Sequence, residues 1–190
     1  DNVPTNHGTS VAIRGDNVVL TESNLTRAGN EGYALIHLYN GPNSVEATGS
    51  PTGVTITDNV IRGGDIGVFL QNSQSVTIKN NDIEPAASDD DAIWVTGVAY
   101  GGLPDGATLN IQDNGELPYV DNATNGNVHY MTSISAAFES DQSPITEGST
   151  VQIPNGTYTL SARASIPADE ITIKGESEHG VVVDASGEAW

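Results

Sequence analysis

The amino-acid sequence predicts an all-β solenoid, a stack of coils built from short strands. One phrase occurs twice: residues 54–61 read VTITDNVI, and 22 residues later residues 76–83 read VTIKNNDI. A second short apolar stretch, at residues 66–70, lies between the two copies. A repeat of this length cannot bury its apolar side chains alone, so it has to stack on its neighbours.

The composition favours a folded protein with a strongly acidic surface. The 190 residues suffice for one well-cored domain or for parts of two. They include 25 Asp and Glu against 6 Lys and Arg, a net charge of −19 that is spread along the chain between Val- and Ile-rich strands. This pattern is typical of a protein adapted to concentrated salt, where screening suppresses self-repulsion, rather than of a disordered acidic tail.

The same composition argues against several classes of function. The acidic surface would repel the phosphates of nucleic acid and the headgroups of an anionic membrane. The sequence contains no run of about 18 apolar residues, the length that would indicate a membrane span. It shows no signal peptide at Asp1, so the chain is interpreted as a mature or internal segment. Cysteine is absent, which excludes a disulfide scaffold, thiolate metal sites and cysteine catalysis.

Residues 1–111 are predicted to form the middle and late coils. A third copy of the phrase lies at residues 18–25, and its alignment with the others gives two apolar columns: Leu20, Ile56 and Ile78, then Leu25, Ile61 and Ile83. Alternate residues of a strand share a side, so both columns should face the interior. Further strands are expected at residues 32–38, 67–70, 91–95 and 107–111, with Trp94 packed inside a coil.

A polar column accompanies the apolar ones at the turn between them, formed by Ser23, Asn59 and Asn81. Amide and hydroxyl side chains at the same turn of successive coils are able to hydrogen-bond in a ladder that runs up the stack. Ordinary turn chemistry is the alternative explanation for the two asparagines. The matching flanks favour the ladder, because they set the register of the copies.

The repeat fails after residue 111. Residues 112–131 are rich in Asn, Gly and Pro, so we expect a linker or an exposed crossing segment there. Residues 132–190 then begin with Thr132 and Ser133 as a helix N-cap, followed by apolar residues at helical spacing to about residue 140. Short strands separated by turns follow, again spaced by roughly 20 residues.

This last part of the chain resembles the opening of a known solenoid. Residues 132–138 read TSISAAF and residues 148–158 read GSTVQIPNGTY. They are similar to the start of the right-handed parallel β-helix of the pectate-lyase-like superfamily, where a short helix covers the bottom of the stack and the first strand ends in a proline-glycine turn. The resemblance implies a right-handed parallel β-helix with one short capping α-helix. It implies no single function, because this fold hosts lyases, hydrolases, epimerases, adhesins and structural fibres.

The order of the coils is unusual, because the segments that resemble the opening coils come last. The chain is therefore expected to be one period of a tandem array, a unit whose last coils stack on the first coils of another copy, or a circular permutant that closes on itself. The first two alternatives predict a filament or a long fibre. We expect Trp190, Asp1 and Phe138 to lie at the assembly seam.

The acidic cluster Asp89, Asp90 and Asp91 is the strongest candidate for chemistry. Clustered carboxylates suit a hard cation such as Ca²⁺, and no other cofactor is expected. Residues 76–84 and then 90–93, with Asp90 and Asp91, are also similar to the stretch around the aspartate pair of the polygalacturonase family. Asp65 falls near that family's other aspartate, and this resemblance implies glycoside hydrolysis. The Gly-His-Gly and Arg-x-Lys motifs of that family are absent, however. A plain solvated acidic turn is the third interpretation.

The remaining motifs are weaker. Asn24, Asn122 and Asn155 each begin an N-x-Thr glycosylation sequon, which matters only if the protein is secreted. Six cations are too few to line a groove for an anionic polymer, and the four histidines lack metal-ligand spacing. The sequence therefore favours a non-catalytic, salt-adapted structural or adhesive unit, located outside the cell or at its surface. We expect this unit to stack end to end on copies of itself, with glycans as a second class of partner. The alternative is a polysaccharide-active β-helix enzyme, a polygalacturonase-like hydrolase or a lyase.

Overall fold

The computed structural model describes residues 9–27, 34–39, 51–71, 73–86, 91–96, 107–115, 117–122, 127–138, 143–160, 164–166 and 168–184. These residues form short strands and one short helix, α1. The strands are β1 (Val11–Ile13), β2 (Val19–Thr21), β3 (Asn24–Thr26), β4 (Ala34–Leu38), β5 (Thr52–Thr57), β6 (Val60–Arg62), β7 (Ile66–Leu70), β8 (Gln74–Lys79), β9 (Asp82–Glu84), β10 (Asp91–Val95), β11 (Leu109–Gln112), β12 (Tyr119–Asp121), β13 (Val128–Met131), β14 (Thr150–Ile153), β15 (Gly156–Thr159), β16 (Thr172–Gly175) and β17 (Val181–Asp184). Helix α1 spans Ile134–Phe138, and no helix in the described ranges is long and apolar enough to cross a membrane.

Strands β1 to β11 wind into coils, which we call the N-terminal coils. Strands β1, β4, β7 and β10 lie side by side in sheet A, β2, β5, β8 and β11 in sheet B, and β3, β6 and β9 in sheet C. All neighbours within this part pair in parallel. The chain passes repeatedly from sheet B to sheet C to sheet A, which confirms the predicted all-β solenoid.

The register between coils follows the predicted apolar columns. Leu20 pairs with Ile56 and Ile56 with Ile78 in sheet B, and the second column pairs in the same way in sheet C. Side chains of the two columns point inward, where Ile56, Ile61 and Ile78 are fully buried. They form the first core together with apolar residues of sheet A. A shift of one residue would turn each column toward water, so burial specifies the register.

Residues 112–131 were predicted to form a linker or an exposed crossing segment, and the structure describes most of them. They contain β12 and β13, which pair with each other in an antiparallel arrangement. Strand β13 also pairs antiparallel with β10, and β12 pairs antiparallel with β14. Sheet A therefore continues through both strands into β14 and β16. Turn-rich composition predicted a loop, but tertiary pairing with β10 and β14 overrides that local preference.

Sheet A has an apolar core on each face. Ile93 and Val95 of β10 face the first core, and their partners on β13, Tyr130 and Val128, pack against it. The alternate residues Met131 of β13 and Val120 of β12 belong to a second core. Because alternate residues of a strand point to opposite faces, the two cores lie on opposite sides of the same sheet.

The second core fills the part of the solenoid that we call the C-terminal coils. Strand β14 pairs in parallel with β16, and β15 pairs in parallel with β17. Helix α1 contributes Ile134, Ala137 and Phe138 to this core. The helix therefore packs where the C-terminal coils begin. Three antiparallel pairs lie between β10 and β14: β10 with β13, β13 with β12, and β12 with β14. Strands β14 and β16 therefore run opposite to β10.

The described strands do not close on themselves. Strand β1 is one edge of the eight-stranded sheet A, and β16 is the other edge. A circular permutant that closes its own solenoid would bring the last coil against the first. The described strands include no such contact, and the three alternatives stay predictions.

Truncation of an inward side chain should destabilise the coils strongly. Ile56 is fully buried in the middle coil, so Ile56→Ala should lower the free energy of unfolding by about 2–5 kcal/mol, because it removes apolar contacts and leaves a cavity. Urea unfolding followed by circular dichroism measures the change. The control Val19→Ala removes a side chain that is 66% exposed and should cost less than about 1 kcal/mol. Equal losses in the two variants would contradict the assigned register.

Candidate functional site

The predicted acidic cluster is only partly within the described residues. Asp89 and Asp90 lie outside them, while Asp91 opens β10. The described ranges hold no group of three or more side chains suited to hold a metal ion. Asp65 directly precedes Ile66, whose partner in sheet A is Asp91. Burial raises the pKa of the Asp65 carboxyl above its ordinary value, and the Arg27 charge opposes the shift.

The Asp91 side chain forms an ion pair or hydrogen bond that the sequence did not predict. Its Oδ2 lies 2.9 Å from Nδ1 of His129, and the two side chains are only 14% and 11% exposed. The contact links β10 to β13. It therefore connects the N-terminal coils to the antiparallel pair of β13 and β12, which we call the junction. Because β13 falls in a segment predicted to be irregular and pairs antiparallel with β10, no repeat signal in the sequence indicated this partner.

Aromatic rings extend this contact across the outer face of sheet A, away from the first core. His37, Phe69, Trp94 and His129 are register partners on β4, β7, β10 and β13. Neighbouring ring centroids are 4.5, 4.9 and 5.3 Å apart, distances typical of favourable aromatic contacts. Trp94 was expected inside a coil, but it lies in this outer row, because Ile93 and Val95 take the inward positions.

His37 is the most perturbed titratable group in the row. Burial lowers its pKa from 6.5 to about 4, with the Arg14 charge acting in the same direction and a hydrogen bond with Gln71 opposing it. The imidazole is therefore neutral near pH 7. Its ring stacks on Tyr39 at a centroid distance of 4.3 Å, and the Arg14 guanidinium lies over the Tyr39 ring. The perturbed pKa has a packing explanation and requires no catalytic role.

The predicted polar column forms a chain of side-chain hydrogen bonds inside the N-terminal coils. Asn59 Nδ2 donates to Asn81 Oδ1 at 2.9 Å, and Asn81 Nδ2 donates to Asn114 Oδ1 at 2.9 Å. The backbone N–H of each donor residue also bonds to the same acceptor oxygen. The amide nitrogens bond in addition to strand carbonyls of the preceding coil, at Leu20, Ile56 and Ile78. These bonds satisfy polar groups that are almost completely buried.

Both ends of this ladder differ from the prediction. Ser23 contributes its backbone N–H, which donates to Asn59 Oδ1 at 3.0 Å, while its hydroxyl bonds to the Thr21 carbonyl. Asn114 extends the ladder by one coil and was missed, because residues 112–131 were assigned to a linker. Its position after Ile111, which pairs with Ile78, was the available signal.

The glycosylation sequons have three different environments. Asn122 is 3% exposed, donates to the Pro144 carbonyl and accepts from Thr146, so the folded protein hides it. Asn155 is exposed, but its Oδ1 accepts a hydrogen bond from Ser177. Asn24 is exposed on β3. Of the predicted seam residues, Trp190 and Asp1 lie outside the described residues, and Phe138 is buried in the second core.

The last described coil leaves apolar side chains in solvent. We call β16 and β17 the C-terminal rung. Ile173, Val182 and Val183 are 46%, 51% and 45% exposed. The register partner of Ile173 on β14 is Val151, which is fully buried. The exposure of Ile173 therefore reflects the lack, within the described ranges, of a further strand beside it.

The opposite end of the stack is the N-terminal rung, formed by β1, β2 and β3. Each of these strands is the outer strand of its sheet among the described residues. Residues 9–27 carry two cations, Arg14 and Arg27, and two anions, Asp16 and Glu22, so their net charge is zero. Residues 168–184 carry Asp169, Glu170, Glu176, Glu178 and Asp184 against Lys174, a net charge of −4. The two ends thus differ in charge, and the less acidic end holds one third of the chain's six cations.

Loss of the central ladder residue should destabilise the protein. Asn81→Ala would remove the acceptor of the buried Asn59 backbone N–H. It would also remove the amide that donates to Asn114 Oδ1 and to the Ile56 and Lys79 carbonyls, and the sum should cost about 2–4 kcal/mol in the free energy of unfolding. Urea unfolding measures this cost. Asn110→Ala changes an asparagine that is exposed on neighbouring β11 and should cost less than about 0.5 kcal/mol. A similar small cost for Asn81→Ala would show that the ladder contributes little stability.

The depressed pKa of His37 should make stability depend on pH. Between pH 6.5 and about 4 the unfolded chain takes up a proton that folded His37 does not, so this contribution to stability falls as the pH decreases through that window. Between pH 7 and pH 4.5 the free energy of unfolding should fall by about 1 kcal/mol less in the variant His37→Phe than in the natural chain, allowing for the partial solvent exposure of His37. Denaturant unfolding at both pH values tests this, with His179→Asn, whose parent side chain is 90% exposed, as the control. Parallel pH profiles for all three chains would refute the assignment.

Comparison with known proteins agrees with this architecture. A family model described as a right-handed beta helix region matches residues 2–186. No curated protein and no solved structure matches the chain. The parallel strands, the stacked coils and the extent of this match show that the chain belongs to the right-handed β-helix family.

Proposed function

We propose that this protein is a non-catalytic structural or adhesive β-helix unit, extracellular or at the cell surface, that stacks end to end into a filament or surface fibre. The exposed C-terminal rung is the observation that carries the proposal. Among the described strands, β16 ends its sheet and β17 has only β15 beside it, and the rung carries three large apolar side chains that are about half exposed. Native proteins normally cover or blunt such edges, since they template pairing with another strand.

The two ends of the described stack also differ in charge. The C-terminal rung presents a net charge of −4 over residues 168–184, and the N-terminal rung presents equal numbers of cations and anions over residues 9–27. In a chain with a net charge of −19, this contact avoids the repulsion that two acidic ends would suffer. A head-to-tail contact between unlike ends also does not close, so it produces an open filament.

The acidic surface supports assembly in concentrated salt. At molar ionic strength charges interact over only about 3 Å, so the repulsion between acidic copies is largely screened while the apolar contact is retained. Glycans fit this proposal as a second partner class for the flanks of the fibre, because stacking covers only the ends of the unit.

The alternative function, a polysaccharide-active enzyme, has one supporting observation. The Asp65 carboxyl has a raised pKa and precedes the residue that pairs with Asp91. We rank this function second, because the Asp91 carboxylate is bound to His129 in a mostly buried contact. This contact gives Asp91 a structural role that requires no catalysis.

Replacement of an apolar side chain in the C-terminal rung should abolish assembly. Ile173→Lys would place a charge where the next coil must pack, and we expect the concentration needed for assembly to rise about a hundredfold or more, equivalent to about 2.7 kcal/mol. Light scattering and negative-stain microscopy in molar salt measure it. Thr77→Lys, at a half-buried position in the middle of sheet B, is the matched control and should assemble normally.

Two outcomes would overturn the proposed function. The natural chain could remain monomeric at high concentration in molar salt. Alternatively, it could release reducing sugar ends from pectin-like polymers, with loss of that activity in Asp65→Asn, which would establish the enzymatic function instead.

A further inference from the structure

We propose that the complete solenoid of this protein is shared between two copies of the chain. The C-terminal coils of one copy open the solenoid, and the N-terminal coils of the next copy complete it. In this arrangement β16 pairs in parallel with β2 of the next copy, and β17 pairs with its β3. The inference rests on the end-to-end stacking proposed above and adds the partner strands and their register.

The corners of the coils identify which strands are equivalent. In the N-terminal coils a two-residue corner joins β2, β5 and β8 of sheet B to the following strand of sheet C, at residues 22–23, 58–59 and 80–81. A two-residue corner, residues 154–155, also joins β14 to β15. The corner between a strand of sheet C and the next strand of sheet A is longer, three residues even at its shortest, between Arg62 and Ile66. Strand β14 therefore corresponds to sheet B and β15 to sheet C. Strands β16 and β17, which a longer corner at residues 176–180 joins, take the same positions because they pair in parallel with β14 and β15.

The side chains at these corners support the same equivalence. The second corner residue is Ser23, Asn59 or Asn81 in the N-terminal coils and Asn155 in the C-terminal coils. Asn155 Oδ1 accepts a hydrogen bond of 2.7 Å from Ser177 in the next coil. A side-chain bond therefore links successive coils at this corner as in the N-terminal coils, although there the earlier coil donates, from Asn59 to Asn81. Residues 171–174, ITIK, also repeat the VTIK of residues 76–79 on β8.

The order of strands then continues from one copy into the next. Within the N-terminal coils the chain follows the cycle sheet B, sheet C, sheet A. After β16 and β17 the cycle requires a strand of sheet A, then one of sheet B, then one of sheet C. Strands β1, β2 and β3 belong to these sheets in this order. The last coil of one copy and the first coil of another thus follow each other without a gap in the cycle.

The two cores explain how one copy takes part in two solenoids. Its N-terminal coils enclose the first core on one face of sheet A, and its C-terminal coils enclose the second core on the other face. Strands β13 and β12 therefore join the end of one shared solenoid to the start of the next. Because strand direction and core side are both reversed across this junction, successive solenoids in a filament are related by about half a turn.

The side-chain directions specify the register of the proposed contact. Ile173 points to the same side as its buried partner Val151, and Leu20 points to the same side as buried Ile56. An inward residue must face an inward residue, so Ile173 should lie beside Leu20 of the next copy. Thr172 then lies beside Val19, and both of these side chains are exposed in the single chain.

Disulfide formation tests this pair directly, because the natural chain contains no cysteine. Thr172→Cys and Val19→Cys would be prepared as separate variants, mixed in molar salt at concentrations where the natural chain assembles, and oxidised. Directly opposed residues on neighbouring strands lie within the Cα separation that a disulfide spans. We expect the mixture to give a cross-linked pair of one copy of each variant, at least tenfold more than either variant gives alone.

Two control mixtures make the outcome specific. Thr172→Cys with Ala12→Cys, an exposed residue on the outward side of β1, tests pairing of β16 with β1, which would be expected if β16 simply continued sheet A. Thr172→Cys with Thr77→Cys tests random collision, since Thr77 lies on β8, between β5 and β11 of its own copy. Both mixtures should give no cross-link above the level of single variants.

The failure of this inference differs from the failure of the proposed function. Filaments that form without the Thr172–Val19 cross-link, or that favour the Ala12 mixture, would overturn the shared solenoid and leave end-to-end stacking intact. Absence of any assembly, with no cross-link in any mixture, would overturn both.

Discussion

Each coil of this protein depends on its neighbours for hydrogen bonds that it cannot make itself. A strand of three to six residues has no partner within its own coil, so its backbone groups bond only to the coils on either side. Buried asparagines extend the same dependence to side chains, since Asn81 bonds both to Asn59 and to Asn114. The stability of the stack is therefore cooperative between coils, and its terminal coils are the least satisfied.

This constraint explains why the sequence predicted some parts of the molecule well. The apolar columns repeat because an inward residue must lie above an inward residue, so the register in sheets B and C could be read from three aligned phrases. The asparagine column was visible for the same reason. Patterns that repeat from coil to coil are the ones that a single sequence displays.

The junction could not be predicted, because it does not repeat. Strands β12 and β13 are held by antiparallel pairing with β10 and β14, and their Asn-, Gly- and Pro-rich surroundings indicate turns. The contact between Asp91 and His129 and the ladder position of Asn114 were missed with them. Local composition does not encode pairing between strands that are distant in sequence and occur once.

The junction also has a mechanical consequence for a fibre built from this unit. Among the described strands, sheets B and C end at β11 and β9, and sheet A alone continues through β13 and β12 into the C-terminal coils. A bending or pulling load is carried by three sheets within the N-terminal coils but by one sheet at the junction. A long stack of such units would therefore behave as stiff segments joined by compliant hinges, with a flexural period of one unit.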